Sequence, residues 1–206
     1  MILTIINFLF YNIIFLILYH LKKIKLNLLI IFFFLLLSVF FLNGFLFDPG
    51  YMPDQDAYLL LIKSVRNLNF YFLEEFHLNL SDRTFLASGL MALVPTLFVN
   101  NFFDISLSQK FLYLCTILYL YNKKALNYYT LSLFLFLPSM VLYTGIALKE
   151  SLLFFLVTLG FYFSYKKKHF LSLLIYLVLF FVKPVIFIFS FGFNILYLKM
   201  IIYQKL

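Results

Sequence analysis

From Leu26 to Phe47 the chain runs without one charged side chain. A stretch of that length exceeds the roughly 20 apolar residues that carry an α-helix across the hydrocarbon core of a bilayer. Comparable runs cover Met1 to His20, Phe102 to Tyr121, Ala125 to Leu148 and Phe170 to Ser190, with a shorter one from Ser151 to Tyr165. Backbone in hydrocarbon must satisfy every N–H and C=O internally, so such runs fold as helices. The expected fold is all-α: a polytopic transmembrane helix bundle of about six to seven spans, forming one integral membrane domain over residues 1–206.

Composition closes the other routes. Hydrophobic residues make up 65% and charged residues 12%, against roughly 45–50% and 25% in soluble domains. The net charge of +8 would suit nucleic acid, but the basic residues sit in short clusters at the ends of apolar runs. That is the placement of orientation signals, so the expected partner is the lipid bilayer and not nucleic acid. Cys115, the single cysteine, lies inside an apolar run and offers neither a disulfide framework nor a metal site. The first run lacks a basic n-region and a small-residue cleavage site, and LKKIK follows it. It reads as a retained anchor.

One polar stretch interrupts this scaffold. Asp48 to Arg83 carries six of the 8 acidic residues and opens on Asp48-Pro49-Gly50, a turn signal that stops the preceding helix. Ala57 to Leu68 places Leu60, Leu61, Val65 and Leu68 at helical spacing with Lys63 and Arg66 between them, the pattern of a short surface-lying helix. Residues 48–83 are therefore expected to form an extracytoplasmic loop. Thr84 to Val99 is apolar but short, and carries Gly89 and Pro95.

Charge decides how that segment runs. If 84–99 is re-entrant or surface-lying, the KKIK, NKK and KKK clusters, half of the 16 basic residues, share one side, and all 8 acidic residues share the other. If it crosses, two of the basic clusters join the acidic loop. The positive-inside rule favours the non-crossing arrangement, with both termini outside or interfacial.

Chemistry can be carried by few residues. Asp54 and Asp56 stand at the start of the surface helix, where a carboxylate could take a proton from an acceptor hydroxyl or simply cap free N–H groups. Nothing else supports a divalent cation between them, and no cofactor is expected. Pro138 lies about 13 residues into its run, roughly 20 Å at 1.5 Å per residue, and frees backbone groups that need protein or a cavity beside them. Lys149 and Glu150 follow at the same membrane edge as the loop, as an interfacial ion pair or as site residues. Lys183 lies inside the last run, where a cation costs about 2.5–3.5 kcal/mol and marks a site unless it snorkels to the interface.

Arg83 offers a bidentate phosphate fork or an interfacial anchor. Glu74, Glu75 and His77 make a weak metal pattern, and Asn79-Leu80-Ser81 matches a glycosylation sequon. His20 and His169 flank the basic clusters.

Two patterns carry a resemblance. The first is Asp54, Asp56 and Tyr58 in the first outer loop, followed by Arg83 ahead of an element bearing Gly89 and Pro95. It resembles the GT-C type of membrane glycosyltransferase. The second is Pro138-Ser139, Tyr143-Thr144-Gly145 and Leu148-Lys149-Glu150, then Lys183-Pro184. It is similar to bacterial polysaccharide-locus membrane proteins, including O-antigen and capsule polymerases of the Wzy kind and the EpsG-like group. The resemblance implies a multi-pass protein of the plasma (inner) membrane acting on polyprenyl-phosphate-linked sugars at the outer face. It implies Asp54 and Asp56 as catalytic carboxylates and Tyr58, Arg83, Lys149, Glu150 and Lys183 as phosphate- or substrate-binding residues. Other polysaccharide-assembly membrane proteins are the implied partners. The alternative is a non-catalytic subunit or scaffold of such a machine, or a transporter fragment.

Overall fold

The computed structural model describes residues 1–48, 53–68 and 82–203, with backbone alone at 53, 82 and 197–203. Glu74, Glu75, His77 and the sequon at 79–81 lie outside the described residues. The described chain is all-helical: α1 (Ile2–His20), α2 (Leu26–Phe41) continued by a π-turn (Leu42–Leu46), α3 (Pro53–Asn67), α4 (Asp82–Ala92), α5 (Phe102–Asn122), α6 (Tyr128–Phe136), α7 (Pro138–Tyr143), α8 (Glu150–Tyr165), α9 (His169–Val182) and α10 (Pro184–Tyr203).

Among the described residues two helices, Ile2–His20 and Leu26–Leu46, are long and apolar enough to cross a membrane by length and composition. The apolar helices Glu150–Tyr165 and His169–Val182 are shorter: the first matches the short run Ser151 to Tyr165, and Pro184 cuts the second out of the run Phe170 to Ser190.

α5 is the hub, packed against α1, α2 and α8. It is enclosed on most of its circumference, and Asp104, Ser106, Ser108, Gln109, Lys110 and Thr116 are all buried on it. Polar groups on such a helix need partners inside the protein. Asp104 supplies several: it accepts from Asn7 Nδ2 at 2.8 Å and from the Asn100 N–H at 2.8 Å. Together with Asn101 it forms a capping box that starts α5, the arrangement in which two free N–H groups are satisfied reciprocally. Tyr11 stacks on Phe111 at 4.4 Å, and Phe15 packs on Phe32 and Phe111, so aromatic contacts lock α1 and α2 onto the hub.

The run Phe170 to Ser190, expected as one span, is two helices. α9 ends at Val182, and the chain reverses at Lys183-Pro184. Asn194 Nδ2 reaches Tyr176 Oη at 3.0 Å, and Phe191 meets the Tyr176 ring at 5.5 Å. Along a straight helix, residues 176 and 194 would stand about 27 Å apart at 1.5 Å per residue, so α10 must fold back along α9. The chain after Pro184 therefore leads away from the end at which Lys183 lies. Proline sits at the first position of α10, where its missing N–H costs nothing.

The segment 84–99 is not one straight helix either. α4 stops at Ala92. Arg66 binds the freed carbonyls with its whole guanidinium, reaching Ala92 O at 3.2 Å, Val94 O at 2.6 Å and Thr96 O at 2.6 Å. Residues 93–101 then climb back from the level of Phe111 to the start of α5.

Charge is segregated along the bundle. Lys25 Nζ meets Tyr128 Oη at 3.3 Å, Tyr128 packs on Tyr121, and Lys123, Lys124 and Lys166 line one cavity. All three basic clusters thus share one end. Asp54, Asp104 and Glu150 lie at the other. Three helices close identically at the lysine end. Lys22, Lys124 and Lys167 have φ of 56°, 56° and 59°. Behind α1, Lys22 N–H bonds Tyr19 O and Lys23 N–H bonds Leu18 O, with the matching pairs behind α5 and α8. This is the Schellman closure, in which glycine is usual. Lysine there costs roughly 1–2 kcal/mol of backbone strain, and in exchange it brings a cation to the negative end of each helix dipole.

α8 and α9 touch closely at Gly160, whose added Cβ would meet the Tyr176 ring at 2.9 Å. The ring cannot swing away because Asn194 holds its hydroxyl. Gly160→Ala is expected to cost about 1–3 kcal/mol by overpacking. Gly192→Ala, with nothing within 4 Å, should be neutral or stabilising by up to about 1 kcal/mol. Reversible unfolding in mixed micelles measures both, and equal effects would show that the α8–α9 contact is not as close as described.

Candidate functional site

Pro138 and Gly145 break one hydrophobic run into two short helices and an irregular stretch. α6 ends at Phe136, Pro138 starts the six-residue α7, and Thr144 to Leu148 follow without regular structure before α8 begins at Glu150. All five residues of that stretch are buried. Buried non-helical backbone needs partners, and three polar side chains from the neighbouring helices supply them. Asn43 Nδ2, in the π-turn, donates to Gly145 O at 2.6 Å and to Val39 O at 2.9 Å. Ser106 Oγ accepts from Ala147 N–H at 2.8 Å and donates to Asn43 Oδ1 at 3.4 Å. Lys110, fully buried on α5, donates to Val141 O and Thr144 Oγ1, both at 2.7 Å, and Thr144 Oγ1 donates on to Met140 O. A side chain at Gly145 would strike Leu42 Cδ1 at 2.5 Å and Val141 O at 3.0 Å, so the helices approach here as only glycine permits.

This framework presents the first turn of α8. Lys149 caps it without a side-chain hydrogen bond, leaving the positive end of the helix dipole and its free N–H groups for other partners. Glu150 is half-buried there. A cavity of about 370 Å³ opens beside it, lined by Glu150, Lys183, Tyr143, Thr144 and Ser139 among others. Lys183 reaches this cavity because the α9–α10 reversal places it at a helix end.

Five of the seven residues singled out from sequence converge. Glu150 stands near enough to Lys183, Lys149 and Asp54 to feel the charge of each. Tyr58 is buried, and its hydroxyl is pushed well up by burial and then by Asp54 and Glu150. Asp54 and Tyr58 lie one turn apart on one face of α3, which sets Asp54 towards Glu150. Asp56, two residues on, is exposed on the opposite face. Arg83 is exposed in the first turn of α4, and among the described residues no hydrogen bond joins it to the cluster.

Unpartnered polar atoms gather at the same place. Among the described residues the buried side-chain atoms without a hydrogen-bond partner are Tyr58 Oη, Glu150 Oε2, Ser151 Oγ and both amide atoms of Gln109. Tyr58, Glu150 and Ser151 surround the α8 N-terminus. Gln109 stands one turn nearer that end of α5 than Leu112, which packs at the level of Leu152 and Phe155. Such orphans are rare in folded proteins, and each calls for a cause such as a water or ligand. Among the described residues no three His, Cys, Asp or Glu side chains form a metal-holding group.

Asn43, Ser106, Gln109, Lys110 and Ser151 carry this site and were not singled out from sequence. The signal was present, since a lysine or amide inside an apolar run is a site candidate in its own right, and Lys110 sits midway along Phe102–Tyr121.

No family model matches the chain, and neither a curated protein nor a solved structure does.

Asn43→Leu leaves Gly145 O buried without its donor and removes the acceptor of the Ser106 hydroxyl, and should cost about 1–3 kcal/mol in detergent unfolding; a neutral result would detach Asn43 from the framework.

Proposed function

We propose that the chain is a multi-pass protein of the plasma membrane that transfers a glycosyl unit from a polyprenyl-phosphate-linked donor to an acceptor hydroxyl at its acidic end. In this reading α1, α2, α5, the broken α6–α7, α8, α9 and α10 traverse the bilayer, and the segment 84–99 is re-entrant. The positive-inside rule then sets the lysine end in the cytoplasm and the acidic end outside. The observation that carries the proposal is the cluster of buried, unpartnered polar atoms about the first turn of α8, beside the cavity lined by Glu150 and Lys183.

Helix lengths support it. α8 and α9, with 16 and 14 residues, measure about 24 and 21 Å, less than the roughly 30 Å hydrocarbon core. Anchored at their lysine ends, they stop short of the outer surface and hold Glu150 and Lys183 in a recess. A phosphate joined to a lipid tail arrives at that depth.

The chemistry follows from the groups present. A carboxylate, Asp54 at the mouth of the recess, takes the proton of the acceptor hydroxyl. The acceptor oxygen bonds to the sugar C1 as the C1–O bond to phosphate breaks, and the phosphate leaves with that electron pair. Lys149, Lys183 and the free N–H groups of α8 stabilise the departing charge.

The test is the length profile of surface glycan in a deletion strain complemented at matched membrane levels. Wild type should restore long chains. Asp54→Asn should lower transfer by about 10²-fold or more, the usual contribution of a general base, whereas Asp56→Asn on the opposite face should not. If Asp54→Asn restores the profile fully, the chain is a non-catalytic scaffold. If deletion leaves the glycan unchanged, the polysaccharide assignment falls.

A further inference from the structure

The largest cavity among those described lies at the opposite end. It measures about 800 Å³ and opens between the lysine-end termini of α5 and α8, bordered by α6 and α10. Lys123, Lys124 and Lys166 line it together with Phe134, Phe161 and Phe193, and no carboxylate does. Lys166 Nζ lies over the Tyr162 and Tyr165 rings at 5.9 and 5.6 Å, and Lys123 Nζ over Tyr119 at 5.8 Å. Among the described residues none of the three ammonium groups is hydrogen bonded or paired with a carboxylate. Lys124 keeps its position at the cost of a left-handed backbone.

Two halves of the cavity ask for different things. Three cations of one sign attract an anion, and a phosphate is met well by several point charges. Phe134, Phe161 and Phe193 offer no polar group to a small hydrated ion, although Thr158, Tyr162 and Tyr165 also line the cavity. At about 30 Å³ per water the volume would hold on the order of 25 waters, most of them against apolar surface. One occupant satisfies both halves: an amphiphile with an anionic head and an apolar body. A bilayer supplies that as an anionic phospholipid, and basic pockets between membrane helices are where such headgroups lodge.

We infer that this cavity binds one anionic phospholipid. Its phosphate is held by Lys123, Lys124 and Lys166, and one acyl chain lies against Phe134, Phe161 and Phe193. The inference does not depend on the transfer reaction at the acidic end. It requires only that the lysine end meets a leaflet. The lipid would fill the gap between α6 and the α8–α10 pair and tie the two together.

The full chain, reconstituted in nanodiscs of phosphatidylcholine mixed with phosphatidylglycerol, gives the test by native mass spectrometry after gentle release. Wild type should retain one phosphatidylglycerol with a preference of tenfold or more over phosphatidylcholine. Lys123→Gln/Lys124→Gln/Lys166→Gln should lose that preference, and the same three positions changed to Arg should keep it. Lys22→Gln/Lys23→Gln/Lys167→Gln removes equal charge from the same end but outside the cavity, and should retain the lipid. Phe193→Ser leaves every charge in place and should lower retention severalfold, which keeps the test sharp if the triple variant folds poorly. Equal losses in the two Gln triples would reduce the effect to diffuse attraction and overturn the site. Equal retention of phosphatidylcholine would do the same, as would full displacement by glycerol phosphate, which carries the head without the chain.

Discussion

Everything at the acidic end depends on satisfying five buried residues of irregular backbone, Thr144 to Leu148. Each buried carbonyl or N–H left unpaired costs about 1–3 kcal/mol, so this stretch can exist only where side chains come to it. Asn43, Ser106 and Lys110 do so from the end of α2 and from α5. Their positions fix how α2, α5, α7 and α8 meet. A hub helix carrying Asp104, Ser106, Gln109 and Lys110 is poorly apolar for a chain of this composition. The reason is that α5 faces protein nearly all round and serves the broken segments beside it.

How much of this was readable follows from what punctuates a sequence. Pro138 and Gly145 punctuate an apolar run and the Lys149-Glu150 step follows them, so these residues pointed to the site. Charge clusters recur at run ends, so the separation of lysines from carboxylates was legible as well. The reversal at Lys183-Pro184 was not. Hydropathy is high on both sides of it, and only tertiary contacts decide that α10 folds back: Tyr176 to Asn194 at 3.0 Å and Asn194 to Ser164 at 2.7 Å. Lys110 was overlooked because one lysine barely alters the average of a long apolar run. The split between Asp54 and Asp56, in contrast, lies in the helical period itself, since two residues turn a side chain to the far face.

The two ends handle charge in opposite ways. At the lysine end, cations sit where helix C-termini favour them, and at Lys22, Lys124 and Lys167 they accept a backbone conformation that suits glycine better. At the acidic end carboxylates and cations mix, and those around the recess, Lys149, Glu150 and Lys183, are partly buried. Glu150 stands at the N-terminus of α8 and Lys183 at the C-terminus of α9, each at the helix end that stabilises its charge.

That placement explains how the two can share a recess without collapsing onto each other. A purely structural pair gains by closing, since a partner within reach offsets the cost of burial. Here Glu150 Oε2 is buried and unpartnered, although Lys183 lines the same cavity. Each charge is already stabilised by the helix end that carries it, so neither depends on the other, and the space between them stays open with one carboxylate oxygen left unsatisfied.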